Sequence, residues 1–281
     1  MNSNLVRSYA KINAALNILE KKTLLHKIES IIFFVSLYDS ISIKRIKSIK
    51  HQVQFSGKFS KNIKKDNTVS KLLRILDERK LIKNKKFQIK IIKRIPNKAG
   101  LGGGSMNAAN VLKYFIKKKI IKISKKEIYK ICKLIGSDVI IGLNSTNLIL
   151  TSKNKIRSFK NCKIIHTLIV KPNFGCSTKY IYSKVKKFTK AKFNKPNKKM
   201  FNLDYLKTTS NQLEKIAFLK YPKLKSIKQY LENSLNPELV RMTGSGSAIV
   251  AYFQSKERCE NAKKEFNKRY KNYWSMTSKT I

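Results

Sequence analysis

Apolar and polar positions along this chain follow two periods, near two residues in some stretches and near 3.6 in others, and the switches between them predict its elements. Residues 5–19 alternate imperfectly and predict a strand pair or one long bent strand. Residues 28–46 are strand-like, with a predicted break into two strands at Asp39-Ser40. The polar stretch 51–67 carries no clear period. Residues 69–79 place Leu72, Leu73, Ile75 and Leu76 at helical spacing. Residues 87–95 predict a strand, broken by Pro96-Asn97-Lys98-Ala99-Gly100. From Ser105 onward, Met106, Ala108, Ala109, Val111, Leu112 and Phe115 keep a helical period. A second helix is predicted over 124–134, with Ser124 and Glu127 as a capping box and Gly136 as its stop.

Strands over 148–151 and 164–170 flank a loop rich in lysine and asparagine, which places a domain boundary there and gives domains 1–157 and 158–281. The second half then predicts a linker and helices near 203–221 and 223–232. Strands 239–243 and 248–253, helix 256–269 and a last strand near 274–278 complete it. Strands and helices alternate in both halves, so the fold class is α+β or α/β, not a helical bundle.

Composition narrows this picture. The 281 residues and 42% hydrophobic content suit two domains with sizeable cores. No stretch approaches the roughly 18 consecutive apolar residues of a membrane span. The longest apolar run, 31–38, is strand-sized, and the first residues lack a signal-peptide core, so no membrane partner and a cytoplasmic location are expected. Cys132, Cys162, Cys176 and Cys259 are far apart, with only His26, His51 and His166 as histidine companions, which argues against a zinc site or a disulfide framework. The net charge of +48 raises the question of a nucleic-acid partner. The lysines, however, recur in every region of the chain, as a compositional bias on solvated faces would place them. This argues against nucleic acid, while such a field still attracts anionic metabolites.

The chain has only ten glycines, yet Gly100, Gly102, Gly103 and Gly104 fall within five positions at the start of a predicted helix. Glycine permits positive φ and close backbone approach, and a helix start offers unpaired N–H groups to an anion, so phosphate is the natural guest. No Gly-Lys-Ser/Thr triplet follows, which excludes a P-loop, and Ser105 stands where the dinucleotide fingerprint wants glycine or alanine.

Three separated motifs resemble the GHMP small-molecule kinases, named for galactokinase, homoserine kinase, mevalonate kinase and phosphomevalonate kinase. They are Ala10-Lys11-Ile12-Asn13, the run from Pro96 through Gly100-Leu101-Gly102-Gly103-Gly104-Ser105 to Ala109, and Met242-Thr243-Gly244-Ser245-Gly246-Ser247. Together with Leu134-Ile135-Gly136-Ser137-Asp138-Val139, they are most similar to the branch whose acceptor is a cytidine-diphosphate alcohol. The resemblance implies a two-domain fold, with an amino-terminal domain like domain 2 of ribosomal protein S5 and a ferredoxin-like carboxy-terminal domain. It implies transfer of the ATP γ-phosphoryl, with Mg2+, to the 2-hydroxyl of 4-diphosphocytidyl-2-C-methyl-D-erythritol, by a monomer or weak homodimer; the alternatives are another kinase of the family with homoserine or a sugar as acceptor, and a basic nucleic-acid-binding protein on a kinase-like scaffold.

Site roles carry over by position. Asp138 matches the catalytic base and Lys11 its paired lysine, an electrostatic unit suited to phosphoryl transfer. Pro96, Lys98, Ala99, Gly100, Leu101, Gly102, Gly103, Gly104 and Ser105 match the ATP loop. Asn13, His26, Tyr182, Gly244, Ser245 and Gly246 match substrate positions, and no acidic residue stands out as a metal ligand. Without the resemblance, Asp138 reads equally as a cap, Lys11 as a snorkelling surface lysine, Tyr182 as a packed aromatic and Gly244-Ser245-Gly246 as a hairpin turn. Leu25 stands where the resembling proteins carry a tyrosine that stacks on cytosine, a contact worth about 1–3 kcal/mol by analogy with single-stranded nucleic acids. Val139-Ile140-Ile141-Gly142 likewise replaces their usual Val-Pro-Phe wall behind the aspartate.

Overall fold

Buried apolar side chains gather into two cores, one in each of two compact units. The structure is a computed structural model that describes residues 5–21, 26–144 and 146–281. The first unit takes described residues of 1–10, 37–97 and 102–145, and the second takes 11–36, 98–101 and 146–281. Both are therefore discontinuous in sequence, and the long strands β1 (Leu5–Lys21) and β2 (His26–Ile46), which pair with each other, contribute to both.

In the first unit the later part of β2 pairs antiparallel with β4 (Lys86–Ile92), which pairs in parallel with β3 (Gln52–Ser56). The helices are α1 (Thr68–Glu78), α2 (Gly103–Lys117), α3 (Lys125–Ile135) and the short α4 (Val139–Gly142). Alternate residues Phe87, Ile89 and Ile91 of β4 turn one face into the core, against the helical stripes Leu72, Leu73 and Leu76 of α1 and Ala108, Val111, Leu112 and Phe115 of α2. Ser124 caps α3 by accepting a hydrogen bond from Glu127 N at 3.2 Å, and Gly136 follows its last residue; the Glu127 side chain, expected to complete a capping box, pairs with Arg79.

In the second unit β5 (Asn147–Leu150) pairs with the early part of β2 and with β6 (Ile156–Phe159). A separate antiparallel sheet runs in the order β10 (Trp274–Lys279), β7 (His166–Lys171), β9 (Ile249–Phe253), β8 (Leu239–Met242). Leu168 and Val170, Val240 and Met242, and Ile249, Ala251 and Phe253 share one core with α8 (Pro222–Ser234) and α9 (Lys256–Arg269). The intervening residues Ile169, Val250 and Tyr252 are buried as well, which is why these strands read as continuous apolar runs. Short helices α5 (Thr178–Ser183), α6 (Leu203–Lys207) and α7 (Glu214–Lys220) and a 3₁₀ turn over Lys198–Phe201 fill the long connection.

Residues 5–19 lie in one long strand, the second of the two readings the sequence left open. Two expectations are corrected. The predicted break at Asp39-Ser40 is absent, because Asp39 is fully buried with its carboxylate saturated by hydrogen bonds, so the strand carries it without interruption. The loop predicted between residues 151 and 164 contains β6, whose four residues Ile156, Arg157, Ser158 and Phe159 are too few and too polar to show a period. All four cysteines are free; burial pushes the thiols of Cys132 and Cys176 up to about 11 and that of Cys259 to about 12.

Candidate active site

The glycine segment leads directly into α2. Gly100 and Gly102 lie at φ 74° and 71°, left-handed backbone that other residues rarely adopt, and Gly102 is the residue before α2. Its carbonyl accepts Met106 N at 2.9 Å, so α2 starts with no side-chain cap over its first N–H groups. Gly104 is exposed, while Gly102, Gly103 and Ser105 are half-buried. Leu101, Ala99 and Pro96 are buried, and Lys98 is exposed at φ 50°.

Asp138 belongs to the same unit as α2. It sits immediately before α4, half-buried, and makes no side-chain capping hydrogen bond to that helix. The short helix packs closely on α2, since a Cβ at Gly142 would lie 2.6 Å from the Ala109 Cβ. Glycine at that position, one of the departures noted in the sequence, is what allows this approach.

In the second unit three distant segments meet. Lys11 is buried, not a snorkelling surface lysine, and its Nζ donates to Asn13 Oδ1 at 2.5 Å. Asn13 N donates to Thr243 Oγ1 at 2.9 Å, and the Thr243 hydroxyl donates in turn to Gly100 O at 3.2 Å. Lys11 N donates to Leu101 O at 3.1 Å, and Asn13 Nδ2 to Ser30 Oγ at 2.8 Å. The first motif, the start of the glycine segment and the third motif are thereby held together by backbone and hydroxyl bonds. Gly244 and Gly246, at φ 55° and 82°, form a turn tied down by Asn211 Nδ2, which donates to Met242 O at 2.7 Å and Gly244 O at 2.8 Å. Ser245 Oγ lies 2.8 Å from Thr178 Oγ1. The Gly-Ser-Gly segment is thus part of the cluster around Asn13, more than an isolated hairpin turn.

His26 and Tyr182 also come together, with ring centroids 5.3 Å apart and planes at 48°. Phe188 adds a third ring, 6.5 Å from His26 at 29°. Burial, reinforced by the charge of Lys21, pushes the His26 imidazole below its ordinary range, and its Nε2 is buried with no hydrogen-bond partner among the described residues. Leu25 lies outside the described residues.

Sequence reasoning missed Thr243 and Asn211 as organisers, and missed Asp39, Lys93 and Asn107 beside the glycine segment. A carboxylate in the middle of an apolar strand was the available signal for Asp39. Nothing local marks the others, whose partners lie far along the chain. Among the described residues, no group of three or more His, Cys, Asp or Glu side chains is placed to hold a metal ion, and no helix is long and apolar enough to cross a membrane.

Comparison with known proteins agrees with these features. Residues 67–149 match the family of GHMP kinases, N-terminal domain, and residues 188–272 match GHMP kinases, C-terminal. A 4-diphosphocytidyl-2-C-methyl-D-erythritol kinase of Pelagibacter ubique (strain HTCC1062) is 56% identical over 281 residues, covering 100% of both chains. One from Caldicellulosiruptor bescii is 33% identical over 89% of this chain and 90% of its own. The fold resembles the crystal structure of a 4-(cytidine 5'-diphospho)-2C-methyl-D-erythritol kinase, with a TM-score of 0.76, 20% identity and 98% of each chain covered. It also resembles homoserine kinase from Cytophaga hutchinsonii, with a TM-score of 0.73, 14% identity, and 100% and 95% covered. Two matched domains, a two-domain fold shared with solved kinases and 56% identity to a relative over the full length of both chains establish that this chain belongs to the 4-diphosphocytidyl-2-C-methyl-D-erythritol kinases of the GHMP kinase family.

Proposed function

We infer that this enzyme transfers the γ-phosphoryl group of ATP to the 2-hydroxyl of 4-diphosphocytidyl-2-C-methyl-D-erythritol, a step of the non-mevalonate route to isoprenoid precursors. The observation that carries this reading is the bonded convergence of Lys11, Asn13, Thr243 and Gly100, which joins a cation and substrate-facing groups to the start of a phosphate-binding segment. It acts in the cytoplasm, as a monomer or weak homodimer, with residues 1–157 and 158–281 as its two domains.

In this reading the glycine segment, Pro96 and Lys98 to Ser105, wraps the ATP phosphates. Asp138 takes the proton of the acceptor hydroxyl as its oxygen attacks the γ-phosphorus, and the β–γ bridging oxygen leaves with ADP. The Lys11 ammonium offsets charge that develops on the transferring group. Gly244, Ser245 and Gly246 contact the acceptor phosphates beside Asn13. His26 and Tyr182 receive the cytosine, whose amino group can donate to an imidazole nitrogen that has no partner among the described residues and that lies beside an aromatic face. The nucleotide's Mg2+ would supply charge neutralisation across the β- and γ-phosphates. Mg2+ would be held chiefly by the phosphates, water and one or two carboxylates, and so would call for no dedicated cluster of three protein ligands.

The test is an acceptor screen with ATP, comparing the cytidine-diphosphate alcohol with the same phosphorylated alcohol lacking cytidine. Turnover should require the cytidine; equal rates on both would remove this acceptor assignment. Asp138→Ala should lower turnover by about 10²–10⁴-fold, the usual contribution of general base catalysis, with the melting curve unchanged. Retained turnover would displace Asp138 from its role.

A further inference from the structure

Asp39 lies in the middle of β2, fully buried, and its two carboxylate oxygens collect four donors. Oδ1 accepts Arg94 N at 2.8 Å and Ile95 N at 2.9 Å. Oδ2 accepts Asn107 Nδ2 at 2.9 Å and is paired with the ammonium of Lys93, itself buried. These donors bracket the glycine segment. Arg94 and Ile95 lead into it, and Asn107 lies on α2, which leaves it. Lys93 also reaches the first residue of α2, for a Cβ at Gly103 would stand 3.1 Å from its Nζ.

Two features point beyond a core ion pair. A buried pair is seldom more stabilising than apolar side chains of similar volume, so stability alone gives little reason for one inside an apolar strand. Asn107 is also 1% exposed, and its Oδ1 has no hydrogen-bond partner among the described residues. A buried acceptor left unsatisfied is destabilising, so the amide is accounted for by what its Nδ2 does, which is to bind Asp39.

We propose that Asp39 is a positioning residue for phosphoryl transfer, fixing the separation between residues 94–95 and α2 so that the glycine segment keeps the shape its phosphate guest requires. Glycine loses more conformational freedom on ordering than any other residue, so a segment with four of them gains most from anchored ends. The same carboxylate turns the Lys93 ammonium toward the amino-terminal end of α2, where a positive charge adds to the helix dipole in favouring an anion. Asp39 itself touches no substrate. The proposal rests on the ATP-binding reading of this segment.

Two variants test it in the full-length enzyme: Asn107→Ala, which removes one donor together with the unsatisfied acceptor, and Asp39→Asn combined with Lys93→Met, which removes both buried charges at once. Thermal unfolding, calorimetric affinity for a non-hydrolysable ATP analogue, and separate KM values for ATP and acceptor are measured. Both variants should stay folded, with analogue affinity weakened about tenfold or more, as when a supporting contact to a binding residue is lost. KM for ATP should rise accordingly while KM for the acceptor holds. If the double variant does not fold, Asn107→Ala decides. Folded variants with unchanged affinity for the analogue would overturn the proposal, as would a loss spread equally over ATP and acceptor, which marks a general structural role. A parent enzyme that neither binds the analogue nor turns over ATP would overturn the ATP-binding reading, and this proposal with it.

Discussion

Single glycines in the segment 100–104 do different work. A Cβ at Gly100 would lie 2.1 Å from Thr243 O, and the residue sits at φ 74°. A Cβ at Gly104 meets only the Thr68 side chain, at 3.3 Å for its Oγ1. Gly100→Ala is therefore expected to destabilise the protein by at least the roughly 1–3 kcal/mol of a strained backbone, with the backbone clash added, visible as a lowered melting temperature. Gly104→Ala should melt at or near the parent temperature yet, on the proposed ATP-binding reading of this segment, raise KM for ATP, because the new methyl stands at the exposed helix start. Equal melting losses in both variants would refute this division. The sequence shows the cluster but not the division. Gly100 owes its constraint to Thr243, which is 143 positions away along the chain. Lys11 illustrates the same limit: its local pattern suits a surface lysine, and its burial follows only once Asn13 and Leu101 are seen beside it.

Elements were legible where their stabilising contacts are local. Helix α1 starts at a reciprocal cap, in which Asn67 Oδ1 accepts from Val69 N and Ser70 N at 3.0 and 3.1 Å while Ser70 Oγ accepts from Asn67 N at 2.8 Å. Asn67→Ala should cost about 1 kcal/mol, read as a lower denaturation midpoint at constant slope. Strand β2 was misread because the groups that satisfy Asp39 come from residues 93–107, out of reach of any local pattern. A pH dependence follows from His51, which ties β3, α1 and β4 together. Its Nδ1 accepts from Phe87 N at 3.1 Å, so the proton sits on Nε2, 3.0 Å from Asp77 Oδ2. Burial, partly opposed by Asp77, lowers the imidazole pKa below its ordinary value. The unfolded chain then binds the proton more readily than the folded one. The stabilisation is complete above the ordinary histidine value of about 6.5 and is lost as pH falls through it toward the folded value. Melting temperature should drop with acidification across that window, and His51→Gln should shrink the drop; an unchanged slope would exclude His51 as the source.

For the whole molecule, each of the two compact units is assembled from three separate stretches of chain, an interleaving that no single composition shift marks. The charge was legible, and its consequence can be given a sign. With 63 lysines and arginines against 15 acidic residues, repulsion outnumbers the available pairings, and many of the pairs that form, such as Lys256–Glu260 and Lys268–Glu265, are exposed. Exposed pairs contribute little, whereas a large net charge works against the compact state. Added salt shortens the screening length to about 8 Å at 0.15 M and relieves that repulsion, so the melting temperature should rise from low salt to physiological salt. The same field raises the local concentration of ATP and of a diphosphate acceptor, so kcat/KM should fall over the same range. Turnover at saturating substrate should stay nearly constant, because the Asp39–Lys93 pair is buried and the bonds around Lys11 and Asn13 are buried as well, beyond the reach of mobile ions. These opposite signs separate a diffuse field from a dedicated binding face: if instead stability fell as salt was added, specific ion pairs would have to outweigh the repulsion, and the charge would be structural in origin.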